Sequence, residues 1–196
     1  MRLVVASGNQ GKLAEIRHVF ADMAVDLVAQ GELGIADADE TGTTFVENAI
    51  LKARQACALS GLPALADDSG LIVDALHGAP GLISAHYAGV HGDAERNIAK
   101  VLAELHGVPE AERTARFYSV VVLMKHQDDP QPVIAEGIIE GRILDAPRGS
   151  NGFGYQPIFL VPELGLSSAE LPAEHWHRIS HRAQALAALR ARWPFA

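Results

Sequence analysis

The chain has 196 residues, of which 48% are apolar and 20% charged, and its formal net charge is −8 at pH 7. This length suits one domain over residues 1–196, and the acidic balance argues against sequence-independent binding of nucleic acid, which requires a basic surface. No stretch approaches the roughly 18 uninterrupted apolar residues of a membrane span, and a single cysteine, Cys57, leaves no intrachain disulfide and no cysteine-based zinc site. We therefore expect a cytoplasmic protein without a membrane or nucleic-acid partner.

Helical and strand patterns alternate along the chain. Apolar runs such as RLVVAS predict buried strands, whereas apolar residues three or four positions apart predict helices. Two long predicted strands follow each other directly through the turn-like QDDPQ, and we expect them to be antiparallel neighbours. This order favours an α/β fold with a mixed sheet flanked by helices. The predicted elements are a strand at 2–7, a helix from Lys12, a strand at 25–30, a helix at 44–60, a strand at 63–67, a helix capped by Asp93, strands at 115–126 and 132–141, and a helix at 181–192.

The first glycine-marked loop, SGNQGK at 7–12, follows the first predicted strand and opens a helix. Backbone N–H groups at a helix start and the charge of Lys12 suit an anion such as phosphate. The loop is not a P-loop, because Gly8 and Gly11 are too close in sequence and Leu13 stands where a magnesium-binding Ser or Thr is needed. An ordinary strand-to-helix turn with a solvated lysine is equally compatible with the pattern.

The second loop, ETGTTFVEN at 40–48, carries two glutamates with different predicted duties. Thr44 and Glu47 have the spacing of a capping box, so the Glu47 carboxylate is expected to bond to the start of the following helix. Glu40 has no such duty. It is either solvated or, together with Asp67 and Asp68, part of an oxygen-rich magnesium site.

The stretch PALADDSGL at 63–71 places two carboxylates, Asp67 and Asp68, where a strand seems to leave the core. Adjacent like charges repel, and burying either one is costly unless a cation or hydrogen-bond donors compensate. The stretch is therefore an exposed turn or the neighbour of something positive. Successive side chains on a strand point to opposite faces, so the two aspartates are not expected to share one role, and the pattern does not choose between them.

The third loop, PRGSNGFGYQPIF at 147–159, alternates glycine with aromatic residues. Phe153 and Tyr155 beside glycine backbone could form a stacking platform for a planar ring, or they could pack in a core or hairpin. Further on, HWHRISHR at 175–182 places His177 and His181 four residues apart, a spacing that could in principle ligate zinc, but no acidic or cysteine partner stands beside them. The favoured interpretation is that Ser180 caps the last helix, whose start faces a polar ligand with His181 and Arg182.

Six motifs occur in one order along the chain, and together they are far more specific than any of them alone. They are SGNxGK, ETGxTFxENAxxKA, ADDSGL, PGxxSAxYAG, PRGxNGFGY and ISHR. In this combination the chain resembles the inosine triphosphate pyrophosphatase family, also called Ham1-like proteins, from residue 3 to about 190. The resemblance implies an elongated, two-lobed α/β fold with a cleft between the lobes, and a homodimer.

The resemblance also implies a reaction, namely magnesium-dependent hydrolysis of ITP, dITP, XTP or dXTP to the monophosphate and pyrophosphate, which cleanses the nucleotide pool. By the family pattern Glu40 and Asp68 carry Mg²⁺, Asp68 accepts the proton of the attacking water, and Lys12 neutralises phosphate charge. The implied substrate contacts are Ser7, Gly8, Asn9, Gln10, Gly11 and Lys12 to the triphosphate, Ser69 to the substrate, Phe153, Gly154 and Tyr155 to the base, and His181 and Arg182 to its polar edge.

Departures from the family pattern cluster where the base is expected. Gln156 replaces the aspartate of FGYDP, Trp176 replaces a lysine, His86 replaces a common arginine, and Ala183 replaces a glycine. Gln156 and Trp176 could form a matched, uncharged pair at the base, or Trp176 could be a surface substitution. Two alternatives to the family reaction therefore stay open, one being the same chemistry with another base preference and the other a nucleotide-binding protein without turnover.

Overall fold

The computed structural model describes residues 1–195, and within them seven strands form one mixed sheet accompanied by five α-helices. The strands are β1 (Arg2–Val5), β2 (Asp26–Ala29), β3 (Ala64–Val73), β4 (Thr114–Met124), β5 (Val133–Ile143), β6 (Phe159–Val161) and β7 (Leu166–Ser167). The helices are α1 (Gln10–Val19), α2 (Phe45–Ser60), α3 (Ala94–Glu104), α4 (Ala173–Ile179) and α5 (His181–Arg190). None of the helices in the described chain is long and apolar enough to cross a membrane.

The order of strands in the sheet is β2-β1-β3-β4-β5-β6-β7. Strand β1 is parallel to both of its neighbours, with Val4 opposite Val28 of β2 and Ala64 of β3, whereas β5, β6 and β7 pair antiparallel. Strands β4 and β5 are neighbours, as their sequence predicts. The predicted α/β fold with a mixed sheet and flanking helices is therefore confirmed.

Helix starts follow the capping signals in the sequence. The Asn9 side chain accepts the first-turn N–H of Lys12 at 3.1 Å and caps α1, and Asp93 caps α3 in the same way. At α2 the predicted capping box is confirmed, because Thr44 and Glu47 bond reciprocally. Such caps satisfy helix N–H groups that have no partner within the helix, and each contributes about 1 kcal/mol. Local sequence thus fixes where the loops before α1 and α2 end.

The chain divides into two compact units. The first comprises Met1–Ser69, Ser119–Gly137 and the chain from His181 onward. Its core joins α1 to α5, since Leu13 and Ile16 of α1 cluster with Leu186 and Leu189 of α5, all at most 3% exposed. The last helix is therefore an integral part of the first unit, although more than a hundred residues separate it from the unit's first segment.

The second unit comprises Gly70–Tyr118 and Ile138–Ser180. Its core contains aromatic rings in direct contact, with Phe117 at 4.4 Å from Phe159 and 6.1 Å from Trp176 between ring centroids. Aliphatic side chains of α3, including Val101 and Leu105, pack against the same cluster. This unit thus has a hydrophobic core of its own.

Two sequence-based assignments are wrong, and two short strands were not predicted. The strand predicted at 63–67 extends to Val73, so Asp67 and Asp68 lie within β3 and not in a turn after it. The segment before the last helix is helical as well and forms α4, which ends at Ile179. Ser180 follows in extended backbone (φ −62°, ψ 158°), and α5 begins at His181. His177 and His181 therefore lie on two different helices, α4 and α5. Strands β6 and β7 are too short to show a periodic signal.

Gly137 of β5 supports the start of α5, and its replacement by alanine tests that contact. A Cβ atom at this position would lie 2.0 Å from the backbone oxygen of His181 and 2.6 Å from the nitrogen of Ala185. Because both are helix backbone, relief requires moving α5, and we expect the free energy of unfolding to fall by about 3 kcal/mol.

Chemical denaturation of Gly137→Ala measures this loss. The control is Gly31→Ala, where nothing lies within 4 Å of the added methyl group. This control should stay within about 0.5 kcal/mol of the parent protein. Equal stabilities of the two variants would show that β5 and α5 are not held at this distance in solution.

Candidate active site

Asp67 of β3 is the centre of a buried ionic network. Its carboxylate lies 2.6 Å from the Lys12 ammonium and 3.2 Å from Nε of Arg182, and it accepts hydroxyl hydrogen bonds from Ser119 (2.6 Å) and Ser69 (3.1 Å). Four donors therefore surround one carboxylate that is 1% exposed. This is the compensation that burial of an aspartate requires.

The network keeps Asp67 ionised. Burial by itself would raise the pKa of Asp67, but Arg182, Lys12 and the hydrogen bonds outweigh it and hold the pKa well below its usual range. Arg182 is itself 2% exposed and also donates to Glu15 at 2.9 Å and to Ser69 Oγ at 2.9 Å. Asp67 and Arg182 thus join α1, β3 and α5, and we assign Asp67 an anchoring role.

Asp68, the next residue of β3, faces different groups. Its Oδ1 atom accepts a hydrogen bond from Lys52 of α2 at 2.8 Å, and the same ammonium contacts Glu40 at 3.0 Å. The other oxygen, Oδ2, is buried and has no hydrogen-bond partner among residues 1–195. A buried, unpaired carboxylate oxygen is costly, so it indicates a group that the site is built to receive.

The pKa of Asp68 is displaced in the opposite direction to that of Asp67. Burial raises the pKa of Asp68 in spite of Lys52, which opposes the shift. For Lys52, burial alone would lower the pKa, but Asp68 and Glu40 raise it overall, so the ammonium stays charged. Neighbouring carboxylates with pKa values displaced in opposite directions are typical of a division between a fixed anion and a proton acceptor.

Lys52 is the member of this site that sequence reasoning missed. It lies on α2 next to the fully buried Ala53, and its own side chain is only 11% exposed. The sequence pattern places Lys52 beside the buried face of an amphipathic helix. Because burial of an ammonium requires acidic partners, this position could have predicted that Lys52 contacts acidic side chains. The acids that it meets, Glu40 and Asp68, are 12 and 16 residues away in sequence.

The loop that carries Glu40 is fixed by the start of α2. The N–H of Gly42 donates to the side chain of Asn48 at 2.8 Å, and Glu47 accepts from the N–H groups of Thr43 and Thr44. These hydrogen bonds lower the pKa of Glu47. The predicted structural role of Glu47 is confirmed, and Glu40 is left as the acid of this loop that contacts Lys52.

The predicted phosphate loop contributes Lys12 to the network around Asp67. Ser7 Oγ accepts the N–H of Asn9 at 3.2 Å, so the turn into α1 is held by its own side chains. Burial, Lys52 and Arg182 lower the pKa of Lys12, while Asp67 opposes this shift. Two lysines and one arginine therefore accompany the two aspartates. The contacts predicted for Gly8, Gln10 and Gly11 stay predictions.

A magnesium ion is compatible with these donors. Within the described residues, no group of three or more His, Cys, Asp or Glu side chains forms a preformed cage. Mg²⁺ in nucleotide sites is commonly held by one or two carboxylates together with substrate phosphates and water, so a cage is not required. The unpaired Asp68 Oδ2 and the half-exposed Glu40 supply oxygen ligands of the suitable kind. The residues present therefore fit the metal.

Phe153, Gly154 and Tyr155, which are predicted to contact the base, belong to the second unit and differ in their exposure. Phe153 is 39% exposed in a glycine-rich loop, where Gly154 has a positive φ of 62°. Tyr155 is 5% exposed, belongs to the core and donates its hydroxyl hydrogen to the backbone oxygen of Ser84 at 2.8 Å. Phe153 therefore has an accessible ring face, whereas core packing accounts for the ring of Tyr155.

Gln156 and Trp176 are both buried. Gln156 is 4% exposed, and its side chain lies against Gly152, where a Cβ atom would be 1.9 Å from Oε1. Trp176 is 3% exposed and sits in the aromatic core near Phe117, so the alternative of a surface substitution is wrong. An indole suits this aromatic core, where the family resemblance leads us to expect a lysine. A contact of either residue with a base stays a prediction.

His181 at the start of α5 is also buried, at 6% exposure. Burial and the adjacent Arg182 cation hold the pKa of His181 well below its usual value, so the ring is neutral at physiological pH. The partners of Arg182 described above all lie within the first unit. The predicted contacts of His181 and Arg182 with the edge of a base stay predictions.

Comparison with known proteins places the chain in a family. Residues 3–192 match the Ham1 family, which is nearly the whole chain. Curated relatives include a dITP/XTP pyrophosphatase of Xanthomonas campestris pv. campestris strain 8004, which is 60% identical over 187 residues and aligned over 95% of this chain and 94% of its own length. A Vibrio parahaemolyticus dITP/XTP pyrophosphatase is 53% identical over 96% of this chain and 94% of its own length. The chain belongs to the Ham1 family.

Solved structures agree with this assignment. A HAM1 protein from Coxiella burnetii is 46% identical, with a TM-score of 0.92 and 98% of each chain covered. The Ham1 protein of Staphylococcus aureus is 39% identical, with a TM-score of 0.87 and coverage of 98% of this chain and 97% of that chain. The fold of the chain is therefore that of Ham1 proteins, as the order of its motifs indicates.

Proposed function

We propose that this chain is a nucleoside triphosphate pyrophosphatase that hydrolyses ITP, dITP, XTP and dXTP to the monophosphate and pyrophosphate. The observation that carries the proposal is the buried, unpaired Oδ2 of Asp68 beside the Lys52 ammonium. A buried carboxylate with a raised pKa and a free oxygen is equipped to accept a proton. The names of the curated relatives support this substrate class.

In the proposed reaction Asp68 activates the attacking water. The water oxygen bonds to one phosphorus of the α–β anhydride, the bond between that phosphorus and the bridging oxygen breaks, and the bridging oxygen leaves with the other product. The water proton passes to the carboxylate of Asp68. Lys52 holds Oδ1 at 2.8 Å, so the carboxylate can turn only by breaking that hydrogen bond. Fixing the base in this way reduces the entropy cost of reaching the transition state.

Positive charge is the second requirement, since a triphosphate brings about four negative charges into a site with several acids. Lys12 and Lys52 are the ammonium groups of the site, and the loop at 7–12 presents the start of α1 to phosphate oxygens. Glu40 and Asp68 would hold Mg²⁺. When bound, the metal neutralises charge on the phosphates and makes water more acidic.

Recognition of the base is assigned to Phe153, whose exposed ring offers a stacking face, with Gln156 as the amide that departs from the family pattern. The removal of unwanted purine nucleotides from the pool follows from this substrate class. The family resemblance further supports a cytoplasmic homodimer, and the net charge of −8 supports the absence of a nucleic-acid partner.

Pyrophosphate release from a panel of nucleotides tests the proposal. With Mg²⁺ present we expect kcat/KM for dITP and XTP to exceed that for dATP, dGTP, dCTP and dUTP by at least about a hundredfold, because a site that hydrogen-bonds a base edge rejects edges that leave its groups unpaired. A chelator should abolish release, and added Mg²⁺ should restore it.

Two outcomes would replace the proposal. Preferred release from another nucleotide would show that Gln156 and its surroundings have changed the base preference while the phosphate chemistry is kept. Binding of nucleotides without release from any of them, with Mg²⁺ present, would make the chain a nucleotide-binding protein without turnover.

A further inference from the structure

A small cavity of about 140 Å³ lies within the second unit, at the junction of β5, β6 and the loop that follows β5. Its apolar wall includes Ile143 and Leu160, and its polar lining includes Arg142 and Arg148 together with the acids Glu110 and Asp145. None of these residues belongs to the candidate active site, whose catalytic groups Asp68 and Lys52 are in the first unit.

The two arginines of this cavity have no side-chain partner. Arg142 is half-buried and Arg148 is exposed, and neither guanidinium has a hydrogen bond or ion pair with any residue from 1 to 195. By contrast, Arg116 of the same unit contacts Asp74 at 2.9 Å and Glu140 at 3.2 Å. Arg142 and Arg148 thus bring two guanidinium groups without a side-chain partner to one cavity.

The acids on the cavity do not cancel that charge. Asp145 already pairs with Arg113, whose other guanidinium nitrogens donate to the backbone oxygens of Val108 (2.9 Å) and Leu105 (3.3 Å). Only Glu110 then opposes the charges of Arg142 and Arg148. The cavity thus has a surplus of one positive charge beside an apolar wall, which favours an anionic occupant.

The walls of the cavity are held by backbone hydrogen bonds. Leu144 donates to the oxygen of Ile158 at 2.8 Å, Arg148 donates to the oxygen of Pro157 at 2.8 Å, and the oxygen of Arg148 accepts from Ser167 Oγ at 2.7 Å. On the opposite side, Arg142 is in register with Leu160 of β6. The backbone that carries the two arginines is therefore held in place, and binding has to order only their side chains.

We propose that this cavity binds an oxyanion of the phosphate class, held by the guanidinium groups of Arg142 and Arg148. Arginine matches phosphate oxygens with paired N–H donors in a planar fork, and two forks on one small cavity can share a tetrahedral or linked phosphate. The oxyanion can be free phosphate or pyrophosphate, or the phosphate group of a nucleotide.

Titration calorimetry on the intact protein, without divalent metal, tests the proposal with inorganic phosphate, pyrophosphate and inosine monophosphate as probes. We expect Arg142→Gln and Arg148→Gln each to weaken binding of at least one probe about tenfold or more, and the double variant to bind one oxyanion fewer per chain. The matched control is Arg178→Gln, which removes an exposed arginine of α4 that does not line the cavity.

The possible results either support the oxyanion site or overturn it. Weakened binding of phosphate or pyrophosphate assigns the cavity to a free oxyanion, and weakened binding of the monophosphate alone assigns it to a nucleotide; both support the site. Equal affinity and stoichiometry in the parent and the double variant would overturn the proposal, as would binding in the parent that is weaker than the millimolar range for every probe. Because the test needs no turnover, its failure is distinct from failure of the proposed function.

Discussion

Replacing Asp68 by asparagine is expected to lower kcat for dITP by a factor of roughly 10²–10⁴, the usual contribution of a general base. An asparagine oxygen can still accept the hydrogen bond of Lys52, so the local geometry and the fold should persist while the proton acceptor is lost. The readouts are kcat and KM from pyrophosphate release, with the melting temperature as the check on folding.

Asp128→Asn is the matched control for this experiment. Asp128 lies in the exposed turn between β4 and β5, where the same change removes a charge that contacts only surface groups, such as the amide of Gln127. It should leave kcat unchanged. If Asp68→Asn kept full activity while Asp128→Asn behaved as expected, the assignment of Asp68 as the base would be refuted and Glu40 would be the next acid to test.

Replacing Arg182 by methionine is expected to lower the free energy of unfolding by about 3–5 kcal/mol, the loss typical when one partner of a buried ion pair is removed. Methionine keeps much of the volume of the side chain, so the loss arises from Glu15 and Asp67, which stay buried without the guanidinium. Asp67 still has Lys12 as a partner, so we expect Glu15 to account for the larger part of the lost stability. Denaturant unfolding measures the effect.

Two further variants separate charge from packing at Arg182. Arg178→Met removes an exposed arginine and should change the stability by less than about 0.5 kcal/mol. Adding Glu15→Gln to Arg182→Met should recover part of the lost stability, because the buried carboxylate that lacks a partner is then neutral. If the double variant were no more stable than Arg182→Met, the loss would have to be attributed to packing.

Much of the fold is predictable from local signals. Thr44 and Glu47 place the start of α2, Asn9 and Asp93 cap helices, and apolar runs place the long strands. The end of β3 is not predictable in this way, because Ser69 and Gly70 have the composition of a turn. The strand continues because the Ser69 hydroxyl is satisfied by Asp67 and by Arg182, which is 113 residues further along the chain.

The division of labour between the two aspartates is the part of the site that residues alone leave open. Their roles depend on which cations each carboxylate contacts. Those cations are 16 to 115 residues away in sequence, so tertiary packing brings them together. The burial of Trp176 has the same origin. Its core neighbours, such as Phe117 and Phe159, come from distant strands, so a substitution that seems to alter a ligand contact also changes the packing of the second unit.

The first unit is assembled from three separate stretches of chain, and its last helix carries Arg182 to the side of Asp67 and Glu15. During synthesis on the ribosome, the amino-terminal stretch therefore emerges long before the residues that neutralise its buried acids. Until α5 is released, Asp67 has Lys12 but lacks the guanidinium, and the apolar faces of Leu13 and Ile16 lack Leu186 and Leu189. A nascent chain cut short before residue 181 should leave this unit unfinished, so completion of the protein is tied to translation of its final segment.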